Sequence, residues 1–250
     1  MRANPHLLPG TKPALLDKVQ DGLRKPGHRP PRGTQVTDAL PQDWWHVYDT
    51  VDRAEDEIDA RTGTDDLFHA LATTERLVGA LPGSAEAHYL RGYVLHLCQV
   101  KGQARRGEAL SEIRQALRLD PGHQWARFHE IVLCYDAGQY GAVLDAFTRL
   151  DRAYFDGAGK DWRYVKAVEY RLCCLFRLGL LGEFSAGLPP LIDEYVRTED
   201  DPDLGPERPA VLLTLYQEVL AQGEAPMRDL LRQELSRLVP GHWVSMEELR

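Results

Sequence analysis

The chain has 250 residues, of which 43% are hydrophobic, and its formal net charge is −8. This apolar fraction is typical of a protein that buries a core, so wholesale disorder is excluded. The acidic balance argues against nucleic acid or anionic lipid as a partner. No apolar run approaches the roughly 18 residues of a membrane helix, and the first residues lack a signal peptide's apolar segment, so we expect a cytoplasmic protein without membrane contact.

Proline and glycine interrupt the first 41 residues at short intervals. Residues 13–23 are compatible with one short helix, whereas the basic stretch KPGHRPPR over 25–32 is not helical. We therefore predict an irregular N-terminal arm over 1–41, a helical domain over 42–240 and a C-terminal cap or tail over 241–250.

Apolar side chains recur every three or four residues through much of the remaining chain. One such helical face comprises Tyr140, Val143, Leu144, Phe147 and Leu150. Leucine also outnumbers isoleucine by 36 to 4, and leucine loses less rotamer freedom in a helix than a β-branched residue does. Because no comparable period-two pattern occurs, the sequence predicts an all-α fold.

The four cysteines lie inside leucine-rich helical stretches and form no CxxC pair. They are Cys98, Cys134, Cys173 and Cys174. We predict that they are small buried hydrophobic residues and not disulfide partners, metal ligands or nucleophiles.

Residues 120–150 read DPGHQWARFHEIVLCYDAGQYGAVLDAFTRL. Here Asp120–Pro121 marks a boundary between units, Gly138-Gln-Tyr140 fits a turn and Phe147 fills an aromatic position of a second helix. The pattern resembles the tetratricopeptide repeat, a helix–turn–helix unit of about 34 residues. The preceding unit has small residues, Gly92 and Ala109 among them, which allow close approach of the helix axes.

This resemblance implies an α-solenoid of about five helical hairpins, because a single hairpin cannot bury its apolar face alone. The predicted hairpins span 42–82, 84–121, 123–154, 160–198 and 206–240. Turn glycines are expected at Gly138, Gly182 and Gly223.

The first helices of such hairpins line a concave groove, and aligning the units assigns residues to that face. The assigned residues are Glu55, Asp59, Tyr89, Tyr93, His96, Trp125, Phe128, Val132, Tyr135, Leu172, Phe176, Leu213 and Gln217. An aromatic groove with an acidic end suits a protein or peptide. We therefore expect a non-enzymatic adaptor, chaperone or regulator that binds a basic or apolar segment.

Anionic partners are disfavoured by the same alignment. Family members that bind the acidic tails of heat-shock chaperones carry Lys, Asn and Arg at positions that hold Tyr89, Tyr93, Phe128 and Val132 in this chain.

Two alternatives remain open. In one, the chain is an enzyme or an enzyme accessory protein whose groove holds a small molecule or metal near His96, His129 and Tyr135. In the other, the arm over 1–41 fills the groove. Nucleotide-binding, hydrolase and zinc-protease motifs are absent from the sequence, so we predict no cofactor and no catalytic residue. The oligomeric state is left open.

Overall fold

The computed structural model describes residues 64–100, 105–158, 160–198, 209–223, 225–239 and 244–249. Its regular elements there are all α-helices, as the sequence predicts. They are α1 (Thr64–Ala80), α2 (Ala85–Val100), α3 (Arg106–Leu119), α4 (Gln124–Asp136), α5 (Tyr140–Phe147), α6 (Arg152–Gly157), α7 (Asp161–Arg177), α8 (Leu181–Thr198), α9 (Ala210–Gln222) and α10 (Ala225–Ser236). The predicted arm over 1–41 and the candidates Glu55 and Asp59 lie outside the described residues.

The chain divides into two compact units, one ending at Ala126 and the other beginning at Arg127. In unit 1, α2 packs against α1 and α3. Gly92 lies so close to α3 that an added Cβ atom would stand 2.7 Å from Cδ1 of Ile113 and 3.2 Å from the carbonyl oxygen of Ala109. This contact explains why the second predicted hairpin needs a glycine at that position.

In unit 2, α7 is the central helix and packs against α5, α6, α8 and α9. Because neighbours cover it on several sides, even the adjacent residues Cys173 and Cys174 are both fully buried. Cys98 and Cys134 are buried as well, and all four cysteines are free thiols. The prediction of buried, unbridged cysteines is therefore confirmed.

Glycines in the left-handed region end three of the helices. Gly138 (φ 70°) follows α4 and Gly223 (φ 76°) follows α9, both at the predicted turns. The prediction for the α7–α8 turn is wrong, because Gly179 (φ 74°) occupies the left-handed position there. Its amide donates to the carbonyl of Phe176 at 2.9 Å, as in an ordinary helix C-cap. Gly182 instead lies in the first turn of α8.

The third predicted hairpin differs from the expectation at its end. The helical periodicity runs to Leu150, but α5 ends at Phe147 and a separate short helix, α6, follows. Asp151 caps α6 by accepting a hydrogen bond from the amide of Ala153 at 2.9 Å. Phe155 of α6 is fully buried, so the extra turn adds an aromatic ring to the core.

The end of the chain packs onto the last hairpin. Val244 and Leu249 are buried with the side chains of α9 and α10. The hydroxyl of Tyr216 donates to the backbone carbonyl oxygen of Leu249 at 3.0 Å. The side-chain amide of Gln217 donates to the backbone carbonyl oxygen of Glu248 at 2.8 Å. Gln217, assigned to the groove from the sequence, is thus engaged by the C-terminal segment.

Candidate functional site

Among the described residues of unit 1, four were assigned to the groove from the sequence. Tyr89 is buried: its ring stacks on Tyr93 with centroids 6.3 Å apart and meets the ring of His123 at 4.9 Å. Tyr93, His96 and Trp125 are half-buried. Of these four residues, Tyr93 and Trp125 therefore contribute aromatic surface, and Tyr89 supports the ring of Tyr93 from beneath.

His123 fixes the start of α4 beside these rings. Its Nδ1 accepts a hydrogen bond from the amide of Ala126 at 3.2 Å, and its Nε2 lies 2.9 Å from a carboxylate oxygen of Glu86. Since Nδ1 accepts, Nε2 carries the ring proton and donates it to Glu86. One imidazole thus caps α4 and ties it to α2.

A second polar group joins α2 to α3. The carboxylate of Glu112 is hydrogen-bonded to Nδ1 of His88 at 2.6 Å and forms an ion pair with Arg91. The other ring nitrogen of His88 lies 3.1 Å from the carbonyl oxygen of Pro82. These contacts hold the turn before α2, and hence the first turn of the helix that carries Tyr89 and Tyr93.

Unit 2 contains the remaining described candidates, and several of them are packed inside it. Phe128 is only 2% exposed, and Val132, Leu172 and Leu213 are buried too. These side chains pack in the core and present no ring or alkyl surface to a partner in this structure. Phe176 is half-buried, and its ring meets Phe184 of α8 edge-on at 5.4 Å.

Side chains at seven-residue spacing form a seam between α4 and α7. On α7 they are Arg163, Tyr170 and Arg177, and on α4 they are Phe128 and Tyr135. Seven residues are close to two helical turns, so each set lies on one face of its helix. Arg163 lies over the ring of Phe128 at 5.1 Å, and Tyr170 meets Tyr135 edge-on at 5.1 Å.

Tyr135 is the centre of the half-buried part of this seam. Its ring lies 5.8 Å from that of Tyr140 on α5, in addition to its contact with Tyr170. Burial raises the pKa of the Tyr135 hydroxyl far above its ordinary value, and the charge of Arg177 only partly opposes that effect. Tyr135 therefore stays a neutral hydrogen-bonding group at any physiological pH.

Arg177 extends the seam to α9 through an ion pair with Glu218. Burial is the largest single effect and opposes the guanidinium charge, but the hydrogen bond to Glu218, the charge of Glu218 and the contact with Tyr135 together outweigh it and raise the pKa of Arg177. The side chains of Arg177 and Glu218 are 25% and 37% exposed, so the ion pair is partly accessible to solvent. We call Tyr135, Tyr140, Tyr170, Arg177 and Glu218 the tyrosine–arginine cluster.

Sequence reasoning found only Tyr135 of this cluster. It assigned Leu172 and Phe176 to the inner face of α7, but these residues pack against α8. The signal that was missed is the recurrence of Arg163, Tyr170 and Arg177 at intervals of seven along α7. Polar and aromatic residues at that spacing mark the face that the core does not fully cover.

Metal and nucleophile chemistry have no support from the geometry of the described residues. Within those residues, no group of three or more His, Cys, Asp or Glu side chains is placed to hold a metal ion. His129 is buried with its ring edge-on to Phe128 at 5.4 Å. Burial raises the pKa of the Cys173 thiol well above its ordinary value and that of Cys174 to about 12.

Comparison with known proteins supports the fold. No family model and no curated protein matches the sequence. A solved structure, the MamA RS-1 ArsTM double mutant, is similar at a TM-score of 0.52 and 14% sequence identity, covering 82% of this chain and 97% of that one. That structure is a helical solenoid of the tetratricopeptide type, so the predicted all-α, tetratricopeptide-like fold class is confirmed. In the part of the chain that the structure describes, no helix meets the length and apolarity needed to cross a membrane.

Proposed function

We propose that this chain is a non-enzymatic scaffold that binds a segment of another protein along the first helices of its hairpins. The observation that carries the proposal is the half-buried aromatic side chains on these helices: Tyr93 and Trp125 in unit 1, and Tyr135 and Tyr170 in unit 2. Tyrosine and tryptophan rings offer large contact area with little loss of conformational entropy, and they are enriched among energetically dominant interface residues.

The fold likeness to the MamA structure supports a hairpin scaffold, a fold whose exposed first-helix faces suit extended segments. The side chains near these rings fit a binding role and not a catalytic one. The cysteine thiols are buried, and the polar groups beside the rings hold helices together. His123, for example, caps α4. An adaptor, chaperone or regulator is the class of protein that this combination fits.

The partner segment is expected to be apolar or basic. Glu86 in unit 1 and Glu218 in unit 2 each have a partly exposed carboxylate beside the aromatic residues. Together with the net charge of −8, these carboxylates favour an approaching cationic side chain and disfavour nucleic acid.

The test is selection of peptides from a random phage-displayed library on the immobilised full-length chain. The most enriched peptide is synthesised with a fluorophore, and its Kd is measured by anisotropy for the wild type and for a Tyr93→Ala/Trp125→Ala double variant. A Tyr170→Ala variant examines unit 2 in the same way. Loss of a dominant aromatic contact is expected to weaken binding by about tenfold or more, equivalent to about 1.4 kcal/mol.

Leu119→Ala serves as the matched control, because Leu119 is an exposed apolar residue on the second helix α3. Circular dichroism must show wild-type helix content for every variant. An unchanged Kd in both aromatic variants, or no enrichment above an albumin-coated surface, would overturn the proposal.

A further inference from the structure

The C-terminal segment, residues 244–249, is a short turn whose shape is held by contacts within itself. The amide and the hydroxyl of Ser245 donate to the Glu248 carboxylate at 2.9 and 3.0 Å. In return, the amide of Glu248 donates to the hydroxyl of Ser245 at 3.3 Å and to its carbonyl oxygen at 3.1 Å. A serine and a glutamate three residues apart that bond each other in this way form a capping box. The segment therefore brings its own folded turn to the last hairpin.

Two apolar side chains anchor this turn. Val244 and Leu249 stand at its two ends, five residues apart, and each is 1% exposed. Both belong to the core cluster that contains Leu231 and Leu235 of α10. Met246, which lies between them in the sequence, is 53% exposed. The turn thus directs its two apolar ends into the hairpin and leaves its middle in solvent.

Helix α9 also binds the backbone of the C-terminal segment. The hydroxyl of Tyr216 donates to the carbonyl oxygen of Leu249 at 3.0 Å. The side-chain amide of Gln217 donates to the carbonyl oxygen of Glu248 at 2.8 Å. Carbonyl groups at the end of a helical turn have no partner within that turn. These two donors therefore recognise a feature of any segment that ends in a helical turn, whatever its side chains.

The segment lies on a helix that belongs to the predicted partner-binding face. Helix α9 is the first helix of the last predicted hairpin, and the repeat alignment assigns Gln217 to the groove. Glu218, the next residue, pairs with Arg177 of α7 in the tyrosine–arginine cluster. In this structure a predicted groove residue is thus in contact with a peptide segment, which is part of the chain itself. Its contacts indicate what a segment from another protein needs in order to bind there.

We propose that this face of α9 and α10 is a binding position for a protein segment of the same kind, and that a partner segment binds by displacing the chain's own C-terminal segment. The partner segment is a single helical turn that begins at serine or threonine and has glutamate three residues later. An apolar residue precedes the serine or threonine, and leucine follows the glutamate. This inference rests on the proposed function, and from the expected apolar or basic segments it selects an apolar class.

The chain's own segment regulates access to this position. A covalently attached segment competes at an effective concentration on the order of millimolar. A partner segment therefore binds the intact chain more weakly than a chain whose C-terminal segment is released. This difference is the quantity that the experiment measures.

The test uses the full-length chain and a synthetic peptide with the sequence of residues 244–250, VSMEELR, which carries a fluorophore on its N-terminus and an amide at its C-terminus. Leu249→Asp removes the second apolar anchor of the chain's own segment and frees the position. Met246→Asp is the matched control, because it places the same charge at an exposed site in the same segment. By fluorescence anisotropy, Leu249→Asp is expected to bind the peptide at least tenfold more tightly than the wild type or Met246→Asp does.

Two further measurements identify the face that binds the peptide. A peptide with aspartate in place of its leucine should not bind the Leu249→Asp chain. Adding Gln217→Ala to that chain should weaken binding of VSMEELR about fivefold, the loss expected for one neutral hydrogen bond. Gln222→Ala, the same substitution at an exposed residue of α9, should leave the Kd unchanged.

Contrary results overturn the inference in defined ways. No binding of VSMEELR to a Leu249→Asp chain of wild-type helix content, or no effect of Gln217→Ala, rejects the face as a binding position. Equal binding to Leu249→Asp and the wild type shows that the chain's own segment does not occupy it. A wild-type dimer that Leu249→Asp converts to a monomer, seen by sedimentation velocity, would make a second copy the partner.

Hydrogen exchange of the wild type decides the matter if Leu249→Asp does not fold. The C-terminal segment is expected to open without unfolding of the hairpin, so the amides of Ser245 and Glu248 should exchange faster than those of α9. Exchange of these two amides at the rate of α9 would mean that the segment leaves only when the hairpin unfolds. That result would overturn displacement by a partner.

Failure of this position and failure of the proposed function are distinguishable. If VSMEELR does not bind but the Tyr93→Ala/Trp125→Ala or Tyr170→Ala variants lose the selected peptide, only the position on α9 and α10 falls. If those aromatic variants keep the selected peptide and VSMEELR binds the Leu249→Asp chain, the aromatic surface is rejected and the position on the last hairpin stands.

Discussion

The carboxylate of Glu169 accepts a hydrogen bond from the backbone amide of Leu212 at 2.7 Å, so a side chain of α7 caps the beginning of α9. Pro209, at the N-cap position of α9, gives no side-chain cap of its own. The second oxygen of Glu169 accepts from the hydroxyl of Tyr195 and pairs with Lys166, both at 2.8 Å. Three helices of unit 2 therefore meet at one fully buried carboxylate.

Replacing Glu169 by alanine is expected to lower the free energy of unfolding by about 3–5 kcal/mol, because the buried Lys166 then loses the carboxylate with which it forms an ion pair. The amide of Leu212 and the hydroxyl of Tyr195 lose their acceptor at the same time. Urea denaturation followed by circular dichroism measures the change. A Lys166→Met/Glu169→Leu double variant should recover part of the loss, since it leaves no unpaired charge.

The matched control for the buried pair is the exposed ion pair between Arg105 and Glu108. Glu108→Ala is expected to change the free energy of unfolding by less than about 1 kcal/mol. If Glu169→Ala were equally mild, the carboxylate would not be the anchor of α9.

The contact between Gly92 and Ile113 gives a second test, this time in unit 1. Gly92→Ala is expected to destabilise the protein by about 1–3 kcal/mol, because the new methyl group would overlap Ile113 and press on the backbone of α3. Gly79 is the control glycine, since an added Cβ atom there meets nothing within 4 Å. Gly79→Ala should be neutral or stabilise the helix by up to about 1 kcal/mol. Equal effects of the two substitutions in thermal unfolding would contradict the close approach of α2 and α3.

Features set by local sequence were predictable. Apolar spacing identified the helices, and a glycine after the last apolar residue located the turns at Gly138 and Gly223, because few other residues adopt a positive φ. At the α7–α8 turn two glycines lie three residues apart, and the repeat alignment favoured Gly182 over Gly179. The C-cap geometry, which the alignment did not consider, selects Gly179.

Which face of α7 stays accessible depends on its neighbours and not on its own sequence. Successive side chains are rotated by about 100° around a helix. An error of one residue in the repeat alignment therefore assigns Leu172 to the accessible face in place of a neighbouring residue. Leu172 is fixed against α8 because Gly187 leaves room for it. The pairing of Lys166 with Glu169 could not be read from spacing alone, because an i,i+3 pair of opposite charges is usually exposed.

The cysteines provide a prediction about accessibility. With all four thiols buried, Ellman's reagent is expected to label none of them in the native protein at mildly alkaline pH and all four in denaturant. Burial also raises the pKa values of Cys173 and Cys174, which removes the reactive thiolate. Labelling of a native thiol faster than the protein unfolds would show that the helix carrying that cysteine is not fully covered by its neighbours.

Lys160 provides a prediction about the pH dependence of stability. Its folded-state pKa is lowered from the ordinary value of 10.5, by burial first and by Arg163 second. Below the lowered pKa both folded and unfolded states carry the charge, so the folded protein bears the full cost. As pH rises towards 10.5, the folded state releases its proton before the unfolded state does, and the free energy of unfolding increases.

Lys160→Met is therefore expected to be more stable than the wild type at neutral pH, with an advantage that shrinks as the pH approaches about 10. Urea denaturation of both proteins across this pH range measures the difference in their free energies of unfolding. Groups that titrate equally in both proteins do not contribute to this difference. A Lys160→Met variant that is less stable than the wild type at every pH would mean that the lysine supports the fold, and that the cost assigned to its buried charge is wrong.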